Sequence, residues 1–477
     1  MTLGRTAIAS MLSTASSAVA LFITFRAGFM HAGGEFMGLW ALISGLLMFA
    51  RISDTGASIS IARLAVIGRN ESSIRIGTYL LSGMTVATVP AIVLSSLILI
   101  VFGLYFDAHE ILGPVVISQV LGSAWIYAIG SSVSGIFSGC LDGIGKMVPR
   151  YLASVGANLL LVVFAIFLVP TIGAQGFLIA HILYVVALTI IYALLLFTSG
   201  QLLFGPAKEY ISVTRASFSF LSKSIFMGTA RAGFEPVSKL LVGYFAGLTA
   251  VALFDLALRV SSQLRQLANA PLQPIAVLTA RTTAALSPEH RPMIEKWMLI
   301  SIAAGFAVAL GQIVSAPVVA WLVIGRVDGF FSTMSAILAI SFFINFSGTV
   351  AFYVVLASGQ LKGLLALHAW MTILNIALGA SMGWIWGGIG VIVAWGITLA
   401  VGGPVTLGLY LVEHSMSARR GRALVLVFLG GIAILAAVAT AVTALQPGIE
   451  QFLGSISTSG FSRMDLVACR EIERFHA

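Results

Sequence analysis

Arg231, Glu235 and Lys239 recur at every fourth residue inside an otherwise apolar run from about Ile225 to Ala246. On a helix, four residues turn a side chain by only about 40°, so the three charges form one stripe. Glu235 ahead of Lys239 is the favourable i, i+4 order for an ion pair. Pro236 removes a backbone donor and frees the carbonyl of Ala232, which predicts a kinked helix beside the charged face. The next apolar run carries Asp255, Arg259, Ser262 and Gln266 at helical spacing, with Arg265 about 120° from Arg259. Earlier runs carry Arg26, and Arg51 with Asp54 as i, i+3 neighbours. A charge near the centre of a bilayer costs on the order of 2.5 to 3.5 kcal/mol, so such groups face a cavity or another helix. The cations Arg26, Arg51, Arg231, Lys239, Arg259 and Arg265 outnumber the acids Asp54, Glu235 and Asp255. A shared, partly dry chamber would be positive and attract anions. Its carboxylates would be available to bind a proton or a sodium ion.

The elements that must position these residues are membrane helices. The chain is 59% hydrophobic and 9% charged, with a mean hydropathy of +1.04. That composition describes a protein built for lipid and leaves almost nothing for a soluble domain. A spanning helix needs roughly 20 apolar residues. Twelve such segments start near Thr6, Phe36, Gly77, Ile111, Tyr151, Gly173, Ile225, Thr249, Trp297, Phe331, Leu364 and Ile385. A thirteenth runs from about Ala423 to Leu445. The first is too long for a removed signal peptide and lacks a small-residue cleavage site. The expected fold is all-α and polytopic.

Basic residues divide by connection. Alternate connections collect Arg5; Arg63, Arg69 and Arg75; Lys146 and Arg150; Lys208, Arg215 and Lys223. The same set continues with Arg281, Arg291 and Lys296; Lys362; and Arg419, Arg420 and Arg422. The opposite set holds only Arg326 before the tail. By the positive-inside rule the amino terminus is cytoplasmic. This scatter also argues against nucleic acid as a partner, which requires a basic face. Cys140 and Cys469 have no neighbouring His or Cys cluster, so neither a metal nor another cofactor is expected. His181 and His368 read as hydrogen-bonded packing residues. Gly143 and Gly145 lack the strand and the Lys-Ser pair of a phosphate loop.

The sequence also repeats. "AGGEFMGLW" (Ala32 to Trp40) resembles "AGLTAVALF" (Ala246 to Phe254), and "TIGAQGFLIA" (Thr171 to Ala180) resembles "IWGGIGVIVA" (Ile385 to Ala394). Gly33 and Gly247 are 214 residues apart, as are Gly173 and Gly387, Gly145 and Gly359, and Arg51 and Arg265. Six helices per half is an even number, so both halves enter the membrane the same way round. They are expected to be related by a pseudo-two-fold along the membrane normal, with a cavity between them. The expected division is an N-lobe at 1–212, a C-lobe at 213–412, and an extra helix with a polar tail at 413–477. Arg463, Arg470 and Arg474 in that tail would then lie outside, against the charge rule.

Twelve helices in two parallel-related lobes, with charges on the first, second, seventh and eighth, resemble the MOP superfamily over roughly residues 1 to 412. That superfamily includes MATE multidrug exporters and lipid-linked oligosaccharide flippases. Its drug and cation exporters depend on acidic residues, whereas its flippases of undecaprenyl-diphosphate-linked sugars line the cavity with Arg and Lys. This chain is similar to the second, Wzx-type O-antigen or exopolysaccharide group. The resemblance implies functional cations on helices one, two and eight, here Arg26, Arg51 and Arg259. It implies movement of a polyprenyl-diphosphate-linked oligosaccharide from the cytoplasmic to the outer leaflet by alternating access, for surface polysaccharide assembly. No bond is made or broken, so the protein is expected not to be an enzyme. Pro236, Pro271 and Pro274 are the expected flexing points. Asp54, Glu235 and Asp255 are candidates for ion coupling, the alternative being drive by membrane potential. The expected setting is the bacterial cytoplasmic (inner) membrane, as a monomer among membrane lipids and other polysaccharide assembly proteins. Two alternatives are a MATE-like organic cation antiporter and a membrane polysaccharide polymerase or ligase. The latter needs large outer loops, and the longest outer connection before the tail is the short one around Asp107, His109 and Glu110.

Overall fold

The computed structural model describes residues 3–50, 57, 58, 60–62, 64, 65, 75–105, 114–200, 203–218, 234–269, 291–358, 361–413 and 418–456. They form α1 (Leu3–His31), α2 (Gly34–Ala50) and α3 (Ile76–Gly83), which runs through a π turn at Met84–Thr88 into α4 (Val89–Tyr105). Then come α5 (Pro114–Gly143), α6 (Met147–Phe197), α7 (Phe234–Asn269) and α8 (Arg291–Ile324). The chain continues with α9 (Gly329–Phe346), α10 (Thr349–Ser358), α11 (Leu361–Glu413) and α12 (Ala418–Ile456). Residues 207–218 are also helical, and no described residue is in a strand.

Nine stretches among the described residues are long and apolar enough to cross a membrane. Three of them contain a reversal. At about 1.5 Å per residue, the 51 residues of α6 would reach more than twice the roughly 30 Å hydrocarbon thickness. The chain instead turns at Ile172 and Gly173. A Cβ on Gly176 would overlap the carbonyl of Leu168, eight residues back, a distance of about 12 Å along a straight helix. In α11 a Cβ on Gly390 would overlap the carbonyl of Met382 across the turn at Gly387. In α7 a Cβ on Gly243 would lie 3.3 Å from Val251 across the turn at Gly247. The nine stretches therefore make twelve apolar arms, and the shorter Gly34–Met48 is the thirteenth. This is a multi-pass, all-helical membrane protein.

The repeat is written in the backbone. Gly33 and Gly247 have φ of 89° and 81°, and Gly173 and Gly387 have φ of 56° and 61°. The latter pair also has similar ψ, −128° and −147°. This left-hand region is one that only glycine occupies cheaply. Gly387→Ala is expected to cost about 1–3 kcal/mol, read as a lowered melting temperature in detergent.

The two halves meet at one end. There Gly34 and Gly38, one turn apart on α2, let the backbone of α7 approach closely. A Cβ on Gly38 would overlap the Leu248 carbonyl, and one on Gly34 would lie 2.9 Å from the Thr249 methyl. At the same end the Arg26 guanidinium of α1 donates to the Leu322 carbonyl near the end of α8. Arg326 follows immediately. Leu248 to Asn269 then spans about 30 Å to the far end, where Arg5, Lys146, Lys208, Arg215 and Lys296 lie. Arg75 is there too, ion-paired to Glu209 at 3.0 Å. The described basic connections thus share an end, as the alternation predicts. The last arm, in α12, is the least buried of the nine long spans. It rests on α8 and α9 through Leu435 and a Phe343–Phe428 stack at 5.5 Å.

Candidate functional site

The reversal at Gly247 folds the two charged stripes of α7 onto each other. Lys239 precedes the turn by eight residues and Asp255 follows it by eight, so both arrive at one depth on facing arms. Lys239 Nζ lies 2.6 Å from Asp255 Oδ1 and 2.6 Å from Glu235 Oε1. Arg259 Nε donates to the other Asp255 oxygen, Oδ2, at 2.7 Å. Four charges therefore form one chain, Glu235, Lys239, Asp255, Arg259. Its middle is sealed, with Lys239 1% and Asp255 0% exposed. Its ends are open, with Glu235 33% and Arg259 38% exposed. An isolated buried charge is costly, and the alternation of signs offsets that cost.

Lys239 also needs space, and α2 supplies it. A Cβ on Gly45 would stand 3.0 Å from Lys239 Cδ. The positions 214 residues before Asp255 and Arg259 are Ala41 and Gly45, so the repeat carries this acid and base in its second half and small residues in its first. The aromatic neighbours keep the repeat more faithfully. Trp40 meets His181 at 5.1 Å between centroids, and their counterparts Phe254 and Trp395 meet at 6.2 Å.

Both open ends of the chain reach a cavity of about 570 Å³. Arg259, Arg265 and Glu235 lie in its wall, with Ser262, Gln266, Asn269 and Asn345 as neutral polar groups. Phe234, Phe342 and Trp395 form an aromatic side, in mutual contact at 5.3 and 5.7 Å. The Arg265 guanidinium sits 5.5 Å above Phe342, and that of Arg259 sits 5.4 Å above Phe25 of α1. Arg259 spends Nε on Asp255 and keeps its other N–H donors. An arginine anchored from behind by a carboxylate is a preorganised clamp for anionic oxygens.

No protein-family profile matches the chain, and no curated protein matches it in sequence. Solved structures do share its path through space. The inward-facing conformation of a multidrug resistance MATE family transporter of the MOP superfamily matches with a TM-score of 0.53 at 18% identity, covering 86% of this chain and 96% of that one. The lipid II flippase MurJ, in an inward closed conformation, gives 0.58 at 14% identity over 93% and 98%. The eukaryotic MATE transporter AtDTX14 gives 0.62 at 14% over 88% and 97%. The chain has the MATE and MurJ fold. A fold shared by a drug exporter and a lipid II flippase leaves the cargo to be argued from the cavity.

Within this MATE-type fold the predicted residues are distributed unevenly. Arg259, Arg265 and Glu235 share the cavity wall. Lys239 and Asp255 stand behind it and neutralise each other. Arg26 is 296 residues from its carbonyl partner in sequence and braces the junction end, so it is no part of this wall. Pro236 is buried in the first turn of α7; the carbonyl of Ala232 that it frees lies outside the described residues. Arg51, Asp54, Arg231, Pro271 and Pro274 also lie outside them. This cavity is walled by α7, α9, α10 and α11, with Met48 of α2 the first-half residue in the described wall. The reason is the hairpin, which turns the charged stripe inward on its own half. The described wall holds two arginines against one glutamate, so its excess charge is small. Phe234, Trp395, Asn345 and Asn269 had no sequence signal, because isolated aromatics and amides are unremarkable in a chain with 30 phenylalanines. His181 and His368 each bond the carbonyl four residues back, at 2.9 Å, as packing histidines do; His368 also borders the cavity.

Proposed function

We propose that this protein is a flippase that moves a polyprenyl-diphosphate-linked oligosaccharide from the cytoplasmic to the outer leaflet for surface polysaccharide assembly. The observation that carries this reading is the cavity wall, where Arg259, fixed from behind by Asp255, stands beside Arg265 among amides, hydroxyls and aromatic rings. The two guanidiniums hold the diphosphate in place of water. Amides and hydroxyls exchange hydrogen bonds with sugar hydroxyls, and the aromatic side takes their apolar faces. The cavity lies toward the end that collects basic connections, which the positive-inside rule assigns to the cytoplasm. Closure at the Gly38 and Arg26 end makes this the inward-open state of an alternating-access cycle. Glu235 is the reachable carboxylate for ion coupling.

A deletion strain is expected to accumulate the lipid-linked precursor, and the wild-type gene to clear it. Arg259→Ala combined with Arg265→Ala is expected to slow flipping by about tenfold or more, since each charge-assisted contact is worth about 1.5–3 kcal/mol. Arg265→Ala alone, which leaves the ionic chain whole, is expected to give an intermediate rate. Normal export by the double variant at matched protein level overturns the proposal.

A cation antiporter is the second reading, favoured by the part-exposed Glu235 carboxylate on the same wall. It predicts that Glu235→Gln abolishes efflux of organic cations while Arg265→Ala is tolerated.

A further inference from the structure

The connector between α6 and α7 carries a feature that the transport reading leaves unused. Residues 207–218 form a helix at the far end of the molecule, tied to the start of α3. Gly77 N donates to Leu203 O at 2.9 Å, Gly205 N to Thr78 Oγ1 at 2.6 Å, and Arg75 pairs with Glu209 at 3.0 Å. The inner face of the helix is set by Val213 and Ser217, both buried. The outer face presents Lys208, Ser212 and Arg215, all exposed. They are spaced i, i+4, i+7, so one stripe places the hydroxyl between two cations. With Ile211 they border a surface hollow of about 460 Å³. Neither Lys208 nor Arg215 has an ion-pair partner among the described residues.

Charge alone would describe a solvated helix, but the same region exposes bulky apolar groups. Leu203, Phe204, Ile211 and Phe218 are each more than half exposed. They sit where a transmembrane arm has just ended, at the level of the interface. Basic groups beside unpartnered apolar side chains on a surface helix are the pattern of a segment lying in the headgroup layer. Lipid covers the apolar groups there, and phosphate answers the cations.

The geometry points to an anionic phospholipid site on this connector, with the headgroup phosphate held by Lys208, Ser212 and Arg215 and acyl chain lying over Ile211 and Phe218. The connector joins the last arm of the first half to the first arm of the second, so a bound lipid fixes the strap between the two halves to the membrane plane.

The test is native mass spectrometry of the full chain in detergent, with phosphatidylglycerol or phosphatidylcholine added at equal mole ratio. Wild type is expected to retain phosphatidylglycerol preferentially. That preference should fall about fivefold in Lys208→Gln or Arg215→Gln, and about twenty-five-fold in the double variant. Arg326→Gln, at the opposite end, should leave it unchanged. Equal retention by wild type and the double variant overturns the site. Displacement of phosphatidylglycerol by millimolar inorganic phosphate overturns lipid as its occupant. All substituted side chains are exposed, and a monodisperse elution profile verifies that each variant is folded.

Discussion

Asp255→Ala is expected to lower the stability of the purified protein by about 3–5 kcal/mol, the usual cost of removing one partner from a buried pair. Asp255 is wholly buried and serves two cations at once, Lys239 at 2.6 Å and Arg259 at 2.7 Å. Without it, two positive groups share a low-dielectric space with only the part-exposed Glu235 carboxylate to answer them. Arg259 can relax toward the cavity; Lys239 cannot, because Gly45 and the α7 arms enclose it. Thermal unfolding followed in detergent, together with the yield of monodisperse protein, measures the effect. Combining Asp255→Leu with Lys239→Met should recover most of the loss, since well-packed apolar groups can replace a buried pair at little cost. Glu235 and Arg259 then remain at the cavity wall, where both touch water. If the double variant is as unstable as Asp255→Ala, the lysine is not what makes that position sensitive.

Gly38→Val is expected to open the junction end. Even a Cβ there overlaps the Leu248 carbonyl, and backbone does not yield as a flexible side chain does. The helices must therefore part by an ångström or more, an overpacking cost of about 1–3 kcal/mol. Gly34→Val is the internal comparison, since its nearest neighbour is the Thr249 side chain, which can turn away. Labelling of Leu248→Cys, a side chain buried at this contact, by a membrane-impermeant thiol reagent reads the gap. It should rise about tenfold in the Gly38→Val background and much less with Gly34→Val. Unchanged labelling and unchanged transport would show that this contact does not hold the end shut.

Much of the architecture was legible because it rests on local physics. Apolar run length reports membrane arms, and paired glycines at one offset report the repeat, since Gly33, Gly247, Gly173 and Gly387 all adopt conformations closed to other residues. The stripe of Glu235 and Lys239, and that of Asp255 and Arg259, followed from helical spacing alone. Spacing does not say which stripes meet. That Lys239 faces Asp255 depends on the tightness of the turn at Gly247, and that it fits depends on Gly45, 194 positions earlier in the chain. Arg26 shows the same limit from the other side. Its type suited an anion site, yet its position near the end of α1 hands it to a helix carbonyl. Charge identity is local; the partner that uses it is not.

The hairpin of α7 bears on how the protein is made. Each arm carries an acid and a base one turn apart, Glu235 with Lys239 and Asp255 with Arg259, so each can leave the insertion machinery already self-neutralised. Only when the arms dock do these local couples merge into a four-member chain. Partition into lipid therefore does not require tertiary closure to neutralise these arms. A nascent chain with both arms inserted but undocked is electrostatically tolerable, and the final lock can wait for α2 to offer its vacant notch.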